Sequence, residues 1–232
     1  MQRVVTIDGP AGAGKSTVAR RLADRLGWRF LDTGAMYRAV TLAAVRGEVD
    51  LTNESALAGL VESLSVRLIG GRVMLGDEDI TQLIRGVEVT QASKFVADSP
   101  SVRQRLMVWQ RTIAAESNVV TEGRDQGTLV FPNAFRKFYL TASDLVRARR
   151  RVAEYEARGE AASFESVLSA QRDRDARDAA RVIAPLKPAL DAVVIDTTHL
   201  SIEAVVDRMV LEIEERLTGG RVGVESSLGV RS

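Results

Sequence analysis

The chain has 232 residues, 45% of them hydrophobic, which is enough for one α/β domain with insertions. Its 32 basic and 31 acidic side chains leave a net charge of +1, so there is no global field that would favour nucleic acid or an anionic membrane surface. The lack of cysteine excludes disulfides and thiolate metal sites, and no apolar run reaches the roughly 18 residues of a membrane span, so we expect a cytoplasmic protein without nucleic-acid or membrane partners.

The first predicted strand, VVTI at 4–7, leads into GPAGAGKS at 9–16 and then into an amphipathic helix. This is the P-loop pattern G-x-x-x-x-G-K-[ST] in the strand-to-helix context that it requires. Its glycines let backbone N–H groups face a phosphate chain, Lys15 can reach the β and γ phosphates, and Ser16 can hold Mg²⁺. The pattern predicts binding of ATP or GTP by Gly9, Pro10, Ala11, Gly12, Ala13, Gly14, Lys15, Ser16 and Thr17.

The P-loop alone does not specify a reaction, because GTPase switches, transporters and motors also contain it. No N-K-x-D stretch occurs in the chain, which counts against guanine selection of the GTPase kind. Two classes stay open at this point: a kinase for a small anionic acceptor, and a P-loop switch or binding protein without an acceptor.

A kinase for an anionic acceptor needs cations beyond the P-loop, since both substrates carry negative charge. One candidate group follows the second predicted strand at 30–31, in LDTGAMYR. Thr33 and Gly34 would begin a helix, with Arg38 just over one turn further on. A phosphate there would meet helix N–H groups, a hydroxyl and a guanidinium. A helix cap with a surface arginine is the alternative interpretation.

The alternation of strands and helices is interrupted between residues 49 and 98. The run SVRLIGGRVMLGDEDI at 65–80 predicts a hairpin that turns at Gly70 and Gly71. A helix should follow from about 85 to 97. We interpret the stretch as a small insertion into the domain.

Three later β-rich runs, at 118–121, 137–140 and 192–195, continue the alternation with helical patterns and predict parallel βαβ units. The last strong helix, capped by Ser201, should cover the sheet. The tail at 218–232 is rich in glycine and serine, and we expect it to be flexible.

Three charged residues follow the run at 118–121. Arg124 and Asp125 would lie at the carboxyl edge of the sheet, where ligands bind open α/β folds. Glu122 could orient the water shell of Mg²⁺, or it could be an ordinary loop acid.

A second interruption, at 158–185, is highly charged and contains QRDRDARDAAR at 171–181. A helical arc of roughly 100° would hold Arg174, Arg177, Asp178 and Arg181. Arg172 would lie on the far side. The arc carries three cations and one acid, whereas a face built for solubility would more often pair each arginine with an acid. The stretch is therefore a candidate anion clamp.

Four runs of the chain resemble bacterial cytidylate kinases, of the nucleoside monophosphate kinase group: IDGPAGAGKST, LDTGAMYRAV, EGRDQGT followed by VFPNA, and RDRDARDAARVIAPL. The resemblance implies an α/β fold, a P-loop kinase core with a five-stranded parallel sheet flanked by helices, as a single domain at 1–217. It also implies an acceptor-binding insert at about 49–98 and a short lid at about 155–182. The activity implied is transfer of the γ-phosphoryl group of ATP to CMP or dCMP, with Mg²⁺.

The resemblance also implies roles for single residues. The acceptor phosphate would be held by Thr33, Arg38, Arg124 and Arg181. The cytosine would be read by Ser93, Arg103 and Asp125, with Asp125 accepting from the exocyclic amine. Asp178 would bond the ribose hydroxyls and Arg174 would reach the phosphates, so that the catalytic set is Lys15, Arg174 and Arg181.

The implied chemistry needs no general base, because the acceptor phosphate is already ionised at neutral pH. His199 can then be an ordinary loop histidine. Catalysis would consist of positioning and charge neutralisation. Among kinases, UMP, AMP and shikimate stay open as alternative acceptors, and we expect a monomer.

Overall fold

The computed structural model describes residues 2–157, 159–181 and 184–218. The predictions for the tail from 219 onward, and for residues 158, 182 and 183 of the charged stretch, lie outside the described residues. In the described ranges, no helix is both long and apolar enough to span a membrane.

Strands and helices alternate along the chain. The strands are β1 (Val4–Asp8), β2 (Arg29–Asp32), β3 (Val66–Ile69), β4 (Arg72–Leu75), β5 (Glu78–Asp79), β6 (Val119–Gly123), β7 (Arg136–Thr141) and β8 (Val193–Asp196). The helices are α1 (Lys15–Leu26), α2 (Thr33–Arg46), α3 (Glu54–Ser63), α4 (Val87–Asp98), α5 (Pro100–Glu116), α6 (Asp144–Glu156), α7 (Phe164–Ala180) and α8 (Ile202–Leu217). A 3-10 turn at Leu83–Arg85 and a π-helical turn at Gln126–Val130 complete the described elements.

The main sheet has five parallel strands in the order β2-β6-β1-β7-β8, which confirms the predicted α/β architecture. Val5, Ile7 and Leu140 are fully buried, as expected for parallel strands that are covered by helices on both faces. Asp32 of β2 pairs in register with Glu122 of β6, and Asp8 of β1 pairs with Gly123. The carboxyl ends of β1, β2 and β6 therefore lie side by side at one edge of the sheet.

Helices cover the sheet in two groups. One hydrophobic cluster joins α1 and α8 to the sheet through residues such as Leu22 and Met209, and a second lies beneath α2, α3 and α5 around Met36 and Leu106. The hydroxyl of Ser201 accepts from the backbone N–H of Ala204, so the predicted cap of the last helix is confirmed.

A small antiparallel sheet, β3-β4-β5, stands apart from the main sheet. The predicted hairpin turns at Gly70 and Gly71, both of which have the left-handed φ values that favour glycine. Ile80, Ile84 and Val89 pack with Ala39 and Leu42, so the small sheet and α4 rest on one face of α2. The predicted helix from about 85 to 97 corresponds to α4.

The predicted helical arc is right for the residues within α7 but wrong for Arg181. The helix ends at Ala180, and Arg181 has an extended backbone with φ −58° and ψ 133°. The chain then folds back, and the N–H of Leu186 donates to the carbonyl of Asp178 at 2.8 Å. The Asp178 carbonyl lies in the last turn of the helix and would accept from the next turn if the helix continued. The Leu186 N–H takes that place. Arg177 is exposed and its Nε donates to the carbonyl of Asp173 in its own helix.

Candidate active site

The P-loop connects β1 to α1 at the carboxyl edge of the sheet. Gly9 has φ +144°, and a side chain there would place its Cβ 2.0 Å from the carbonyl oxygen of Leu140. Only glycine fits this close approach between the loop and β7. Gly14 precedes α1 in the left-handed conformation, so the N-terminus of α1 opens toward the loop. The sequence prediction of a strand, loop and helix is therefore confirmed.

Lys15 begins α1 and is 6% exposed. Its Nζ donates to the carbonyl oxygen of Pro10 at 2.8 Å, so its ammonium lies inside the loop. The pKa of Lys15 is lowered to about 7, mainly by burial and also by the charge of Arg124, while Glu122 opposes the shift. In the free protein the buried positive charge of Lys15 is only partly balanced by nearby negative charge. Bound phosphates would stabilise it.

Glu122, at the end of β6, faces the start of α1. Its Oε1 accepts from the Ser16 hydroxyl at 3.0 Å, and its side chain is largely buried. A carboxylate and a hydroxyl that meet beside a phosphate loop are the oxygen donors that Mg²⁺ takes. Among the described residues, no three His, Cys, Asp or Glu side chains are grouped as a metal site. The pair therefore fits Mg²⁺ that is held mainly by phosphates and water.

The loop after β6 is held in place by β1. The carboxylate of Asp8 accepts from the backbone N–H groups of Gln126 at 2.9 Å and Gly127 at 2.7 Å. Burial raises the pKa of Asp8 to about 6, although both hydrogen bonds lower it. These bonds fix the segment that carries Arg124 and Asp125 next to the P-loop.

Three arginines surround Asp178, which is 4% exposed. Arg124 Nε lies 2.9 Å from Asp178 Oδ2, Arg181 Nη2 lies 3.0 Å from Oδ1, and Arg174 Nε lies 3.9 Å from Oδ2. Burial would raise the pKa of Asp178, but Arg124 and Arg181 outweigh it and hold the pKa below its usual value. We call these four residues the Asp178 cluster.

The Asp178 cluster reaches both the P-loop and the small insertion. Arg124 Nη1 donates to the carbonyl oxygen of Gly9 at 3.1 Å. Arg181 Nε donates to Oδ1 of Asp98, the last residue of α4, at 2.9 Å. The cluster thus lies between the two parts of the chain that sequence reasoning assigns to donor and acceptor.

A second buried pair, Arg103 with Asp125, lies near the cluster. The Arg103 guanidinium contacts the Asp125 carboxylate directly, and its Nη1 donates to the carbonyl of Ala97 at 3.1 Å. Burial raises the pKa of Asp125, while Arg103 and Arg181 oppose the shift. Burial also raises the pKa of Tyr37 to about 12 beside the same groups. Sequence reasoning missed Tyr37.

The remaining predicted acceptor residues are placed as follows. The Thr33 hydroxyl, which is buried, donates to the backbone carbonyl of Glu122 at 2.6 Å. Arg38 folds back over the start of α2, with Nη2 3.7 Å from Asp32 Oδ1. Ser93 lies in α4, and its hydroxyl donates to the carbonyl of Thr90 in the same helix. Thr33 and Arg38 are thus close to the P-loop edge, and Ser93 is on the insertion.

Sequence reasoning also missed the arginine that ties the P-loop to α7. Arg147 Nη1 donates to the carbonyl oxygen of Ala11 at 3.0 Å and to Asp175 Oδ2 at 2.6 Å. Arg147 lies in the helix that follows β7, beyond the carboxyl end of that strand. Because the same kind of position identified Arg124 in the sequence, Arg147 could have been found in the same way. The pairing with Asp175 had no sequence signal.

Comparisons with known proteins agree with this geometry. A family model described as cytidylate kinase matches residues 5–215. The cytidylate kinase of Stutzerimonas stutzeri (strain A1501) is 46% identical over 223 residues, which cover 94% of this chain and 97% of the relative.

Two solved structures resemble the chain in fold. A gluconokinase from Sinorhizobium meliloti 1021 covers 95% of this chain and 98% of its own, with a TM-score of 0.51 and 14% identity. A shikimate kinase from Bacteroides thetaiotaomicron covers 91% of this chain and 98% of its own, with a TM-score of 0.50 and 13% identity. At such low identity the likeness concerns the fold alone, and it is the fold of P-loop kinases.

Proposed function

The chain belongs to the cytidylate kinase family, and we propose that it transfers the γ-phosphoryl group of ATP to CMP or dCMP, giving ADP and CDP or dCDP. The observation that carries the proposal is the position of Arg124, whose guanidinium contacts both the P-loop carbonyl of Gly9 and the carboxylate of Asp178. One arginine thereby joins the donor loop to the acceptor side. Two bound nucleotides would bring their negative charge together at this point.

On the donor side, the P-loop residues 9–17 would hold the phosphates of ATP. Lys15 would leave the Pro10 carbonyl and contact the β and γ phosphates, which would restore its positive charge. Mg²⁺ would be held by Ser16, with Glu122 orienting its water shell, and would neutralise phosphate charge when bound. The contact between these two side chains supports the outer-shell role for Glu122.

On the acceptor side, the phosphate of CMP would be held by Arg38, Arg124 and Arg181. Thr33 would add a hydrogen bond after its hydroxyl turns away from the Glu122 carbonyl. The ribose hydroxyls would bond to Asp178, which three arginines keep ionised and therefore able to accept. Each of these contacts replaces one that the free protein makes within itself.

The base would be read by Ser93, Arg103 and Asp125. Cytosine presents an amino donor at the position where uracil presents a carbonyl acceptor. A buried carboxylate at Asp125 accepts from the amino group but leaves two acceptors facing each other with uracil, at a cost of roughly 1–3 kcal/mol. Asp125 therefore supports CMP or dCMP over UMP.

The transfer itself would depend on position and charge. The acceptor phosphate is already ionised, so no side chain has to remove a proton. Lys15, Arg174 and Arg181 would stabilise the charge on the phosphoryl group as it moves between the two nucleotides. The insert at 49–98 and the lid at 155–182 would close over both nucleotides and exclude water. Small-angle X-ray scattering should then show a smaller radius of gyration with both nucleotides bound, and equal curves would contradict closure.

A coupled assay of ADP release with a panel of acceptors tests the proposed function. CMP and dCMP should give ATP-dependent turnover, and UMP should be at least about tenfold poorer in kcat/KM because it leaves Asp125 unpaired. Faster turnover with UMP, AMP or shikimate would assign a different acceptor. Slow ATP or GTP hydrolysis that no acceptor stimulates would indicate a P-loop switch protein instead.

We further propose that residues 1–217 act as a single domain, in monomeric form, in the cytoplasm. Residues from distant parts of the sequence, such as Asp98, Arg124 and Asp178, meet within a single copy of the chain, so the proposed site does not require a second copy. Light scattering after gel filtration should give a mass near 25.2 kDa. Twice that mass would contradict the monomer.

A further inference from the structure

A groove of about 360 Å³ lies beside the outer strand β2, between α1, the first part of α2 and the small sheet. Its lining includes five arginines: Arg20, Arg29, Arg38, Arg72 and Arg85. Of the residues with proposed roles in phosphoryl transfer, the lining contains Arg38 alone. The groove is therefore a separate feature that borders the acceptor side at one residue.

The groove concentrates positive charge in a chain that is nearly neutral. Its five arginines are opposed by two aspartates, Asp24 and Asp32, which leaves a surplus of three positive charges, whereas the whole chain carries +1. A local surplus of this kind attracts anions even though the global field does not.

The groove arginines are poorly paired with carboxylates. Their nearest ion-pair distances are 3.7 Å for Arg38 with Asp32, 3.9 Å for Arg29 with Glu116 and 3.9 Å for Arg72 with Asp79. Within the described ranges, Arg20 and Arg85 make no ion pair. The Nε atom of Arg38 is buried without a hydrogen-bond partner. This N–H is therefore available to donate to an anion that enters the groove.

Arginines close to the groove that do not line it are well paired. Arg46 and Glu78 lie 2.6 Å apart, and Arg67 and Asp77 lie 3.0 Å apart. Arg67 is on β3, the strand that pairs with β4, where Arg72 lies. These two arginines therefore have close carboxylate partners of the kind that the groove arginines lack.

Part of the groove lining is apolar. Phe30, Leu68 and Ile84 contribute to it, and the Arg20 guanidinium lies 4.8 Å from the centre of the Phe30 ring. An aromatic ring beside several guanidinium groups suits a ligand with a flat base and phosphates. A volume of about 360 Å³ is within the range of small-molecule sites.

We propose that this groove binds a nucleoside diphosphate, as a second nucleotide site outside the P-loop. At neutral pH the terminal phosphate of a nucleoside diphosphate carries about −1.5 to −2 charges and the inner phosphate about −1, so the total of roughly −3 matches the surplus of three. The other guanidinium groups would take the phosphates, with Arg38 Nε free to donate to one of them, and the base would stack on the Arg20 guanidinium that lies over the Phe30 ring.

A regulatory consequence rests on the proposed function. The reaction yields nucleoside diphosphates, and Arg38 would serve both the groove and the acceptor phosphate. A product molecule in the groove would draw Arg38 away from the acceptor. Accumulated product would then reduce the affinity for CMP from a site that neither substrate occupies.

Equilibrium dialysis with labelled CDP tests the groove directly. Wild type should bind one more equivalent of CDP than the double variant Arg20→Ala/Arg72→Ala, because the variant lacks two of the five guanidinium groups. The control Arg67→Ala removes a paired arginine from the same hairpin and should bind as wild type does. Equal amounts of CDP bound by wild type and the double variant would overturn the proposal. The proposal would also be overturned if pyrophosphate displaced the extra equivalent as effectively as unlabelled CDP does, because the site would then not recognise a nucleoside. This measurement does not depend on whether the chain phosphorylates CMP.

A kinetic experiment measures the consequence for Arg38. The inhibition constant of CDP against CMP should rise at least about tenfold in the double variant, which loses two guanidinium contacts, with kcat and the KM for CMP within about twofold of wild type. An unchanged inhibition constant would contradict the regulatory role. If the double variant does not fold, the single variants Arg72→Ala and Arg85→Ala, both at exposed positions, should each weaken the binding of CDP in dialysis, and unchanged binding in both would overturn the proposal.

Discussion

The P-loop and the Asp178 cluster contact each other through Arg124 and Gly9, but they are built in different ways. The P-loop takes its shape from consecutive residues, such as Lys15, whose Nζ donates to the carbonyl of Pro10 five residues earlier, and Arg124 and Arg147 donate to carbonyls of the finished loop from outside. In the Asp178 cluster, Arg124 and Asp178 are 54 residues apart, and Arg181 and Asp98 are 83 apart. A donor site made of backbone can be specified by eight consecutive residues, whereas an acceptor site made of ion pairs requires the whole fold.

The centres of both regions are buried, but the outer contacts of the Asp178 cluster are exposed. Lys15 is 6% and Asp178 4% exposed, whereas the side chains of Arg174 and of Asp98, which pairs with Arg181, are 53% and 58% exposed. Exposed ion pairs contribute about 0–1 kcal/mol each, so the outer contacts of the cluster can be broken at little cost. We therefore expect the P-loop to keep its shape when nucleotides bind, while the contact between Arg181 and Asp98 of α4 opens and closes.

The largest expected effect comes from the P-loop lysine. Lys15→Ala should lower kcat by at least about a thousandfold, since it removes the cation that contacts the β and γ phosphates. The free energy of unfolding should not fall, because burial already disfavours the charged ammonium and lowers its pKa to about 7. Lys187→Ala, at an exposed position, is the matched control and should turn over as wild type does. Turnover within tenfold of wild type in Lys15→Ala would contradict the donor role of this loop.

The second largest effect should come from the cluster arginines, and it should be absent on the opposite side of α7. Arg174→Ala and Arg181→Ala should each lower kcat by at least about a hundredfold, because each removes a cation that would stabilise the moving phosphoryl group. Arg172→Ala is the control on the far side, where its guanidinium pairs with Asp144, and it should change kcat less than about twofold. Circular dichroism should show unchanged helix content in all three. Near-normal turnover in both cluster variants would make the stretch an ordinary charged surface.

Binding of ATP should be linked to uptake of a proton by Lys15. At pH 8 a lysine with a pKa of about 7 is roughly nine-tenths neutral, and bound phosphates favour its charged form. Titration calorimetry at pH 8 in two buffers of different ionisation enthalpy should therefore give different binding enthalpies, corresponding to nearly one proton taken up per ATP. Lys15→Arg should abolish the difference, because arginine stays charged. Equal enthalpies for wild type in the two buffers would mean that Lys15 is already charged in the free protein.

Sequence reasoning succeeded where local chemistry decides the structure. The P-loop, the hairpin at Gly70 and Gly71, and the Ser201 cap each depend on residues within a few positions of one another. It erred at Arg181, because a chain reversal after Ala180 ends a helix that periodicity alone would continue.

Long-range contacts set the remaining limit on sequence reasoning. The Thr33 hydroxyl bonds to the Glu122 carbonyl because β2 and β6 are neighbours in the sheet. The Arg147 contact with Asp175 depends on how α6 packs against α7. Residue types and helical spacing carry no information on such pairings, which arise only when the elements pack.

The smallest expected effect comes from Asp98, which links α4 to the Asp178 cluster through Arg181. Asp98→Asn should lower the KM for CMP by about two- to fivefold with kcat unchanged, because Arg181 no longer has to leave a carboxylate when the acceptor phosphate arrives. Asp77→Asn breaks an exposed pair with Arg67 and is the matched control, which should leave KM unchanged. A higher KM in Asp98→Asn would instead mean that Asp98 holds Arg181 in its productive position. In that case the outer contacts of the cluster would be part of the acceptor site, and they would have to persist when the nucleotides bind.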